Sequence, residues 1–134
     1  MFRRSMFAAC LLTIAGCAQM PPPANPASAA RTVVVFFTAD SAALDQAAQS
    51  AITEAADTAK QRPNAVVHVR GFATPDAGSP AFNQSLANTR AQGVADALVQ
   101  AGVPRSQLRM ESRGGVPYEM MPTESRRVEI LIGS

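Results

Sequence analysis

Few side chains in this 134-residue sequence could carry chemistry, and their spacing narrows what that chemistry is. His68 is the only histidine. It lies in the run Val66-Val67-His68-Val69, which offers no water-excluded cleft for a serine–histidine–acid relay. One histidine and two cysteines, Cys10 and Cys17, make no convincing set of metal ligands, so no metal and no cofactor is expected. The only lysine, Lys60, sits in a helical pattern rather than behind a glycine loop, so there is no phosphate loop. Asp40 and Asp76 fall on loops that can converge, but glycoside hydrolysis needs two acids facing a groove, one with a raised pKa. Nothing in the sequence indicates either, and no catalytic residue is assigned. Arg90 remains. It follows Asn83 by seven residues, two helical turns on the same face, and Leu86 by four, which puts a guanidinium at the edge of a core-facing stripe. A charge there needs a partner, either an internal acid that ties the helix to the preceding loop or a ligand.

The elements that must position Arg90 are legible in the periodicity. Thr32 to Phe37 is β-branched and aromatic, which favours a strand. Leu44, Ala47, Ala48, Ala51, Ile52, Ala55 and Ala59 then recur at helical spacing, with Asp40 or Ser41 as the expected cap and Pro63 as the stop. Ala65 to Arg70 reads as a second strand. Ser79-Pro80 supplies a cap and a first-turn proline for a second helix, running to about Ala101 before Gly102. Leu108 to Arg113 and Arg127 to Ile132 are two further strands. Val67 and Val69 alternate with His68 and Arg70, Leu108 and Met110 with Arg109, Glu111 and Arg113, and Val128, Ile130 and Ile132 with Arg127 and Glu129. One sheet face is therefore apolar and the other charged. The pattern predicts an α/β (α+β) two-layer sandwich in β-α-β-α-β-β order, two helices packed on one face of a mixed four-stranded sheet, over residues 32–134. Tyr118, Met120 and Met121 form an adaptable apolar segment, suited either to protein contacts or to packing under the sheet edge.

The N-terminal residues have a different character. Arg3 and Arg4 precede an apolar run from Met6 to Ala15, too short to span a bilayer, which needs about 20 residues. The run ends in Leu12-Thr13-Ile14-Ala15-Gly16-Cys17, which resembles the lipobox of bacterial lipoproteins. The expectation is a signal peptide at 1–16 and a lipidated Cys17 as first residue of a 118-residue mature chain. Acyl chains add about 0.8 kcal/mol of membrane affinity per buried methylene, so several would anchor it durably. Ala18 after the cysteine implies the outer membrane under the usual sorting pattern. Residues 17–31, with Pro21-Pro22-Pro23 and Pro26, cannot bury enough surface to fold. They read as a tether, whose fourteen residues 18–31 reach at most roughly 43 Å at about 3.1 Å per residue.

Several segments carry a family resemblance. Phe36-Phe37-Thr38-Ala39-Asp40-Ser41-Ala42-Ala43-Leu44, the pair Gly71 and Gly78, the signature Asn83-Gln84-Ser85-Leu86-Ala87-Asn88-Thr89-Arg90-Ala91, and Gly115-Val116-Pro117 with Arg126-Arg127-Val128-Glu129-Ile130 occur in the order of the OmpA-like C-terminal domain. That family is shared with peptidoglycan-associated lipoprotein and the stator protein MotB. Ala87 stands where its N-x-x-L-S-x-x-R-A signature has serine. The resemblance implies noncovalent binding of peptidoglycan through the diaminopimelate of the stem peptide. Diaminopimelate presents an ammonium and a carboxylate, so a complementary site wants an acid and a guanidinium. Arg90 matches the family's arginine, whose planar fork suits a carboxylate, and Asn83 supports it. The family's acid normally follows the second strand. Here counting forward from Gly71 reaches Thr74 and counting back from Arg90 reaches Pro75, so the loop is one residue longer and Asp76 is adjacent. Asp76 and Asp40 are then the ammonium acceptors, with Thr74 at the acid's position. The resemblance implies a non-catalytic lipoprotein on the periplasmic face of the outer membrane, tethering it to peptidoglycan. The altered acid position, with Thr38 where many relatives carry aspartate, leaves a second reading open: a module that has lost wall binding and serves other envelope proteins as an assembly partner.

Composition is consistent with this. The formal charge of +2 is supplied by Arg3 and Arg4, and what remains is ten basic against ten acidic side chains. A balanced chain of this kind has no basic surplus for nucleic acid.

Overall fold

The computed structural model describes residues 29–133, so the expected signal peptide, Cys17 and nearly all of the tether lie outside the described residues. The elements are β1 (Arg31–Phe36), α1 (Gln46–Lys60), β2 (Val67–Ala73), α2 (Pro80–Gln100), β3 (Leu108–Gly115) and β4 (Arg127–Ile132), with three short 3-10 turns at Pro75–Ala77, Arg105–Gln107 and Pro122–Ser125. The sheet order is β1-β4-β2-β3. β4 runs antiparallel to both β1 and β2, while β2 and β3 are parallel. Parallel neighbours need a crossover, and α2 supplies it. This is the expected mixed sheet with two helices on one face.

The helix ends follow local chemistry. Ser79 caps α2, its Oγ accepting from Phe82 N at 3.2 Å, with Pro80 in the first turn. The other end of α2 closes in a Schellman motif: Gly102 takes φ 102° and donates to Val99 O, and Val103 N donates to Leu98 O. α1 begins later than Leu44 suggested. Asp45, not Asp40 or Ser41, is its cap, with Oδ1 accepting from Ala48 N at 2.7 Å. The reason lies upstream. Thr38–Ser41 forms a tight turn closed by Ser41 N donating to Thr38 O at 3.4 Å, and Asp40 there adopts φ 52°. A left-handed residue cannot start a right-handed helix, although aspartate tolerates that conformation better than most.

The core lies between the apolar sheet face and alanine-rich helix faces. Val67, Val69, Val128, Ile130 and Ile132 meet Ala55, Ala56 and Ala59 of α1 and Ala91, Val94 and Leu98 of α2. Small residues let the backbones approach. At Gly71 a Cβ would stand 2.0 Å from the carbonyl oxygen of Ala87, so α2 lies directly on β2 at this point. That contact holds Arg90, one turn further along α2, over the end of the sheet. One strand departs from the expected alternation. Met110 shares a register row with buried Val69 but is exposed, because β3 is an edge strand.

Candidate functional site

The loops after β1 and β2 converge on Arg90, which is 0% exposed. Its Nε donates to Ser41 O at 2.8 Å, NH2 to Thr38 O at 3.1 Å and NH1 to Phe72 O at 3.1 Å. The guanidinium also lies over the Phe37 ring, 5.2 Å from its centroid. Arg90 therefore grips both ends of the Thr38–Ser41 turn and fastens it to the last residues of β2. The internal acid that its position invited is not its hydrogen-bonding partner; backbone carbonyls take that role. Its pKa is lowered, first by burial and then by the positive charge of Arg126, with Asp40 acting in the opposite direction.

Arg126 is a site residue that sequence reasoning passed over. It stands immediately before β4, its backbone oxygen accepting from Phe37 N at 2.8 Å. Its Nη2 donates to Thr123 Oγ1 at 2.9 Å, while its buried Nε has no partner among the described residues. A signal was available: strand alternation put Arg127 on the open face, so the arginine beside it should turn the other way, toward the layer that contains Arg90. The positive charge of Arg126 disfavours the charged form of Arg90, and Asp40 on the exposed turn acts against that.

The other expected residues flank this pair. Thr74 directly follows β2 and is buried, at 6% exposure. Asp76 is exposed on the 3-10 turn and accepts a hydrogen bond from Tyr118 Oη at 3.0 Å. That bond raises the Tyr118 pKa, because losing the phenol proton would place two anions together. Asn83, 3% exposed, does not reach Arg90. Its Nδ2 donates to Pro75 O at 3.0 Å and Gly78 O at 3.4 Å, bracing the longer β2–α2 loop. The β3–β4 loop is fixed in turn. The Glu124 carboxylate accepts from Glu119 N at 3.1 Å and Met121 N at 3.0 Å, which lowers its pKa. Thus stiffened, the loop leaves Met120 85% and Met121 60% exposed rather than tucked under the sheet. His68 sits on the open face, 3.3 Å from Glu111, which also pairs with Arg70 at 3.1 Å.

This combination of a buried arginine in an N-x-x-L-x-x-x-R helix, seated over the ends of β1 and β2, is accompanied by a match of residues 36–126 to the OmpA family. The chain belongs to the OmpA family. Among relatives of this OmpA-family domain, "Probable lipoprotein YiaD" of Escherichia coli K12 is 34% identical over 104 residues, which cover 73% of this chain and 47% of that protein. "Outer membrane protein 40" of Porphyromonas gingivalis is 33% identical over 101 residues, 73% of this chain and 26% of that protein. The chain thus spans between about a quarter and a half of the length of these relatives. The peptidoglycan-associated lipoprotein of Burkholderia pseudomallei has the same fold, with a TM-score of 0.69 at 23% identity, covering 75% of this chain and 89% of that one. The C-terminal domain of Helicobacter pylori MotB aligns with a TM-score of 0.62 at 30% identity, over 74% of this chain and 81% of that one.

Proposed function

We propose that this OmpA-family domain binds peptidoglycan noncovalently, without catalysis, through the diaminopimelate of the stem peptide. The observation that carries the reading is the pair Arg90 and Arg126, two neighbouring cations that, among the described residues, leave a buried Nε of Arg126 unpaired and no carboxylate hydrogen-bonded to Arg90. Such a pair stabilises an added carboxylate, and a charge-assisted bond to the free Nε would give it direction. Arg90 acts here by its charge and by holding the Thr38–Ser41 turn. Asp40 on that turn and Asp76 on the neighbouring loop receive the ammonium, with the Thr74 hydroxyl at the acid's usual place, and Asn83 keeps the loop in position.

The rest of the chain fits an envelope tether. A lipid on Cys17 would hold the outer membrane and residues 17–31 would bridge toward the wall, leaving the domain on the periplasmic face. The names of its relatives, a probable lipoprotein and outer membrane proteins, support that location. The test is sedimentation of the full-length protein, purified in detergent, with cell-wall sacculi. Binding should fall about tenfold in Arg126→Gln, the scale of one charge-assisted hydrogen bond. No binding above background, or equal binding by Arg126→Gln, would sink the reading.

One observation favours the second reading, an envelope module working through protein partners: exposed Met120 and Met121 on a loop held rigid by Glu124. Crosslinking in cells that recovers protein partners and no muropeptide would select it.

A further inference from the structure

A second feature lies on the other side of the β2–α2 loop from the arginine pair. Pro75, Gly78 and Asn83 on one wall and Arg113, Gly114 and Gly115 on the other enclose a cleft of about 290 Å³. Asn83 forms part of its lining and is nine-tenths buried or more, yet its Oδ1 has no hydrogen-bond partner among the described residues. The amide orientation is fixed, because Nδ2 donates to two carbonyls, so the unpaired atom is an acceptor waiting for a donor. Across the cleft Arg113 is 58% exposed at its side chain, and its long 3.9 Å pairing with Glu111 is weak enough in water to be exchanged for an anion in the cleft. The cleft also opens beside the first turn of α2, where N–H groups and the helix dipole favour negative charge. Gly115 keeps the floor open, since a Cβ there would lie 3.0 Å from Asn83 Nδ2 and 3.2 Å from Pro75 Cα.

A donor for Oδ1 together with an anion for Arg113 is the signature of a chain-terminal amino acid, with an amide N–H on one side of Cα and a carboxylate on the other. We infer that this cleft receives the residue that follows diaminopimelate in the stem peptide, its amide N–H on Asn83 Oδ1 and its terminal carboxylate on Arg113. This rests on the reading above. The distances are compatible. Asn83 and Arg90 are separated by about 10.5 Å of helix at 1.5 Å per residue. A diaminopimelate side chain plus one further residue spans roughly three extended chain units of about 3.5 Å each. Asp76 and Pro75 are consecutive, so the ammonium acceptor and the cleft share a wall.

The consequence is selection by stem length. Soluble muropeptides with tripeptide stems, ending at diaminopimelate, and with tetrapeptide stems, one residue longer, are titrated calorimetrically into the full-length protein in detergent. The tetrapeptide should bind about fivefold tighter, the scale of one exposed ion pair. Arg113→Gln should bring the two affinities together while leaving tripeptide binding unchanged. Gly115→Ala, whose Cβ would crowd Asn83 Nδ2 and Pro75 Cα on the cleft floor, should also weaken tetrapeptide binding. Equal affinities in the parent protein, or a preference that survives both substitutions, would overturn this inference and leave the diaminopimelate site standing. If neither muropeptide binds, both proposals fail together.

Discussion

Replacing Arg90 with alanine separates a residue that builds the site from one that merely contacts a ligand. The side chain has no exposed surface and satisfies three backbone carbonyls drawn from two loops. Each hydrogen bond to a charged group typically contributes about 1.5–3 kcal/mol net. Against that stands the desolvation of the guanidinium, the largest cause of its lowered pKa. Removing one side of a buried charged arrangement typically costs about 3–5 kcal/mol, because the abandoned groups are neither paired nor hydrated. With a urea m-value of about 2 kcal/mol/M, Arg90→Ala should lower the unfolding midpoint by roughly 2 M. Arg90→Lys should lose about half as much, since one ammonium cannot span Thr38, Ser41 and Phe72 together. Equilibrium unfolding followed by far-UV circular dichroism reads both shifts. A midpoint for Arg90→Ala within about 0.3 M of the parent would refute the argument, and would mean that these bonds contribute nothing net to folding.

Three other perturbations test neighbouring parts of the account. Gly71→Ala drives a Cβ to within 2.0 Å of the Ala87 carbonyl, so it should destabilise by about 3 kcal/mol, at the upper end of overpacking, as measured by thermal unfolding. Tyr118 is the only tyrosine and there is no tryptophan, so phenol ionisation can be followed directly at 295 nm. Its midpoint should lie above 10.0 and fall back toward that value in Asp76→Asn. Glu124 has a folded pKa below its ordinary 4.5, so its clamp on the β3–β4 loop is intact above that pH and released as pH falls through the lowered folded value. Amide exchange at Glu119 and Met121 should therefore accelerate in acid relative to the chain average, and Glu124→Gln should remove the difference.

What was legible in the sequence was local. The Ser79-Pro80 cap, the glycine stop of α2 and the bounds of β4 depend on near neighbours and stand where the pattern put them. The start of α1 was missed because an unrecognised turn at Thr38–Ser41 uses the residues that would otherwise cap it. Within the site, spacing showed that Arg90 was a buried charge needing partners. It could not show that the partners are carbonyls 49 and 52 positions away, nor that Tyr118 reaches Asp76 across 42. Those contacts depend on strand order, which brings the β1–α1, β2–α2 and β3–β4 loops to one end of the sheet.

The chemistry of that end bears on why arginine stands at position 90 at all. An apolar side chain of similar volume would avoid the desolvation cost, and buried charges are often no better than neutral for stability. Such a replacement would leave the carbonyls of Thr38, Ser41 and Phe72 without donors, so the turn that presents Asp40 would need a different conformation. Under the proposed reading, Arg90 would couple two things that a zwitterionic ligand needs together: a positive field for its carboxylate and a fixed acid for its ammonium. Arg126 increases the field at the expense of mutual repulsion. Repulsion between two arginines weakens the empty domain and would be relieved by an added carboxylate, so the arrangement that costs stability in isolation is the one that would favour the proposed bound state.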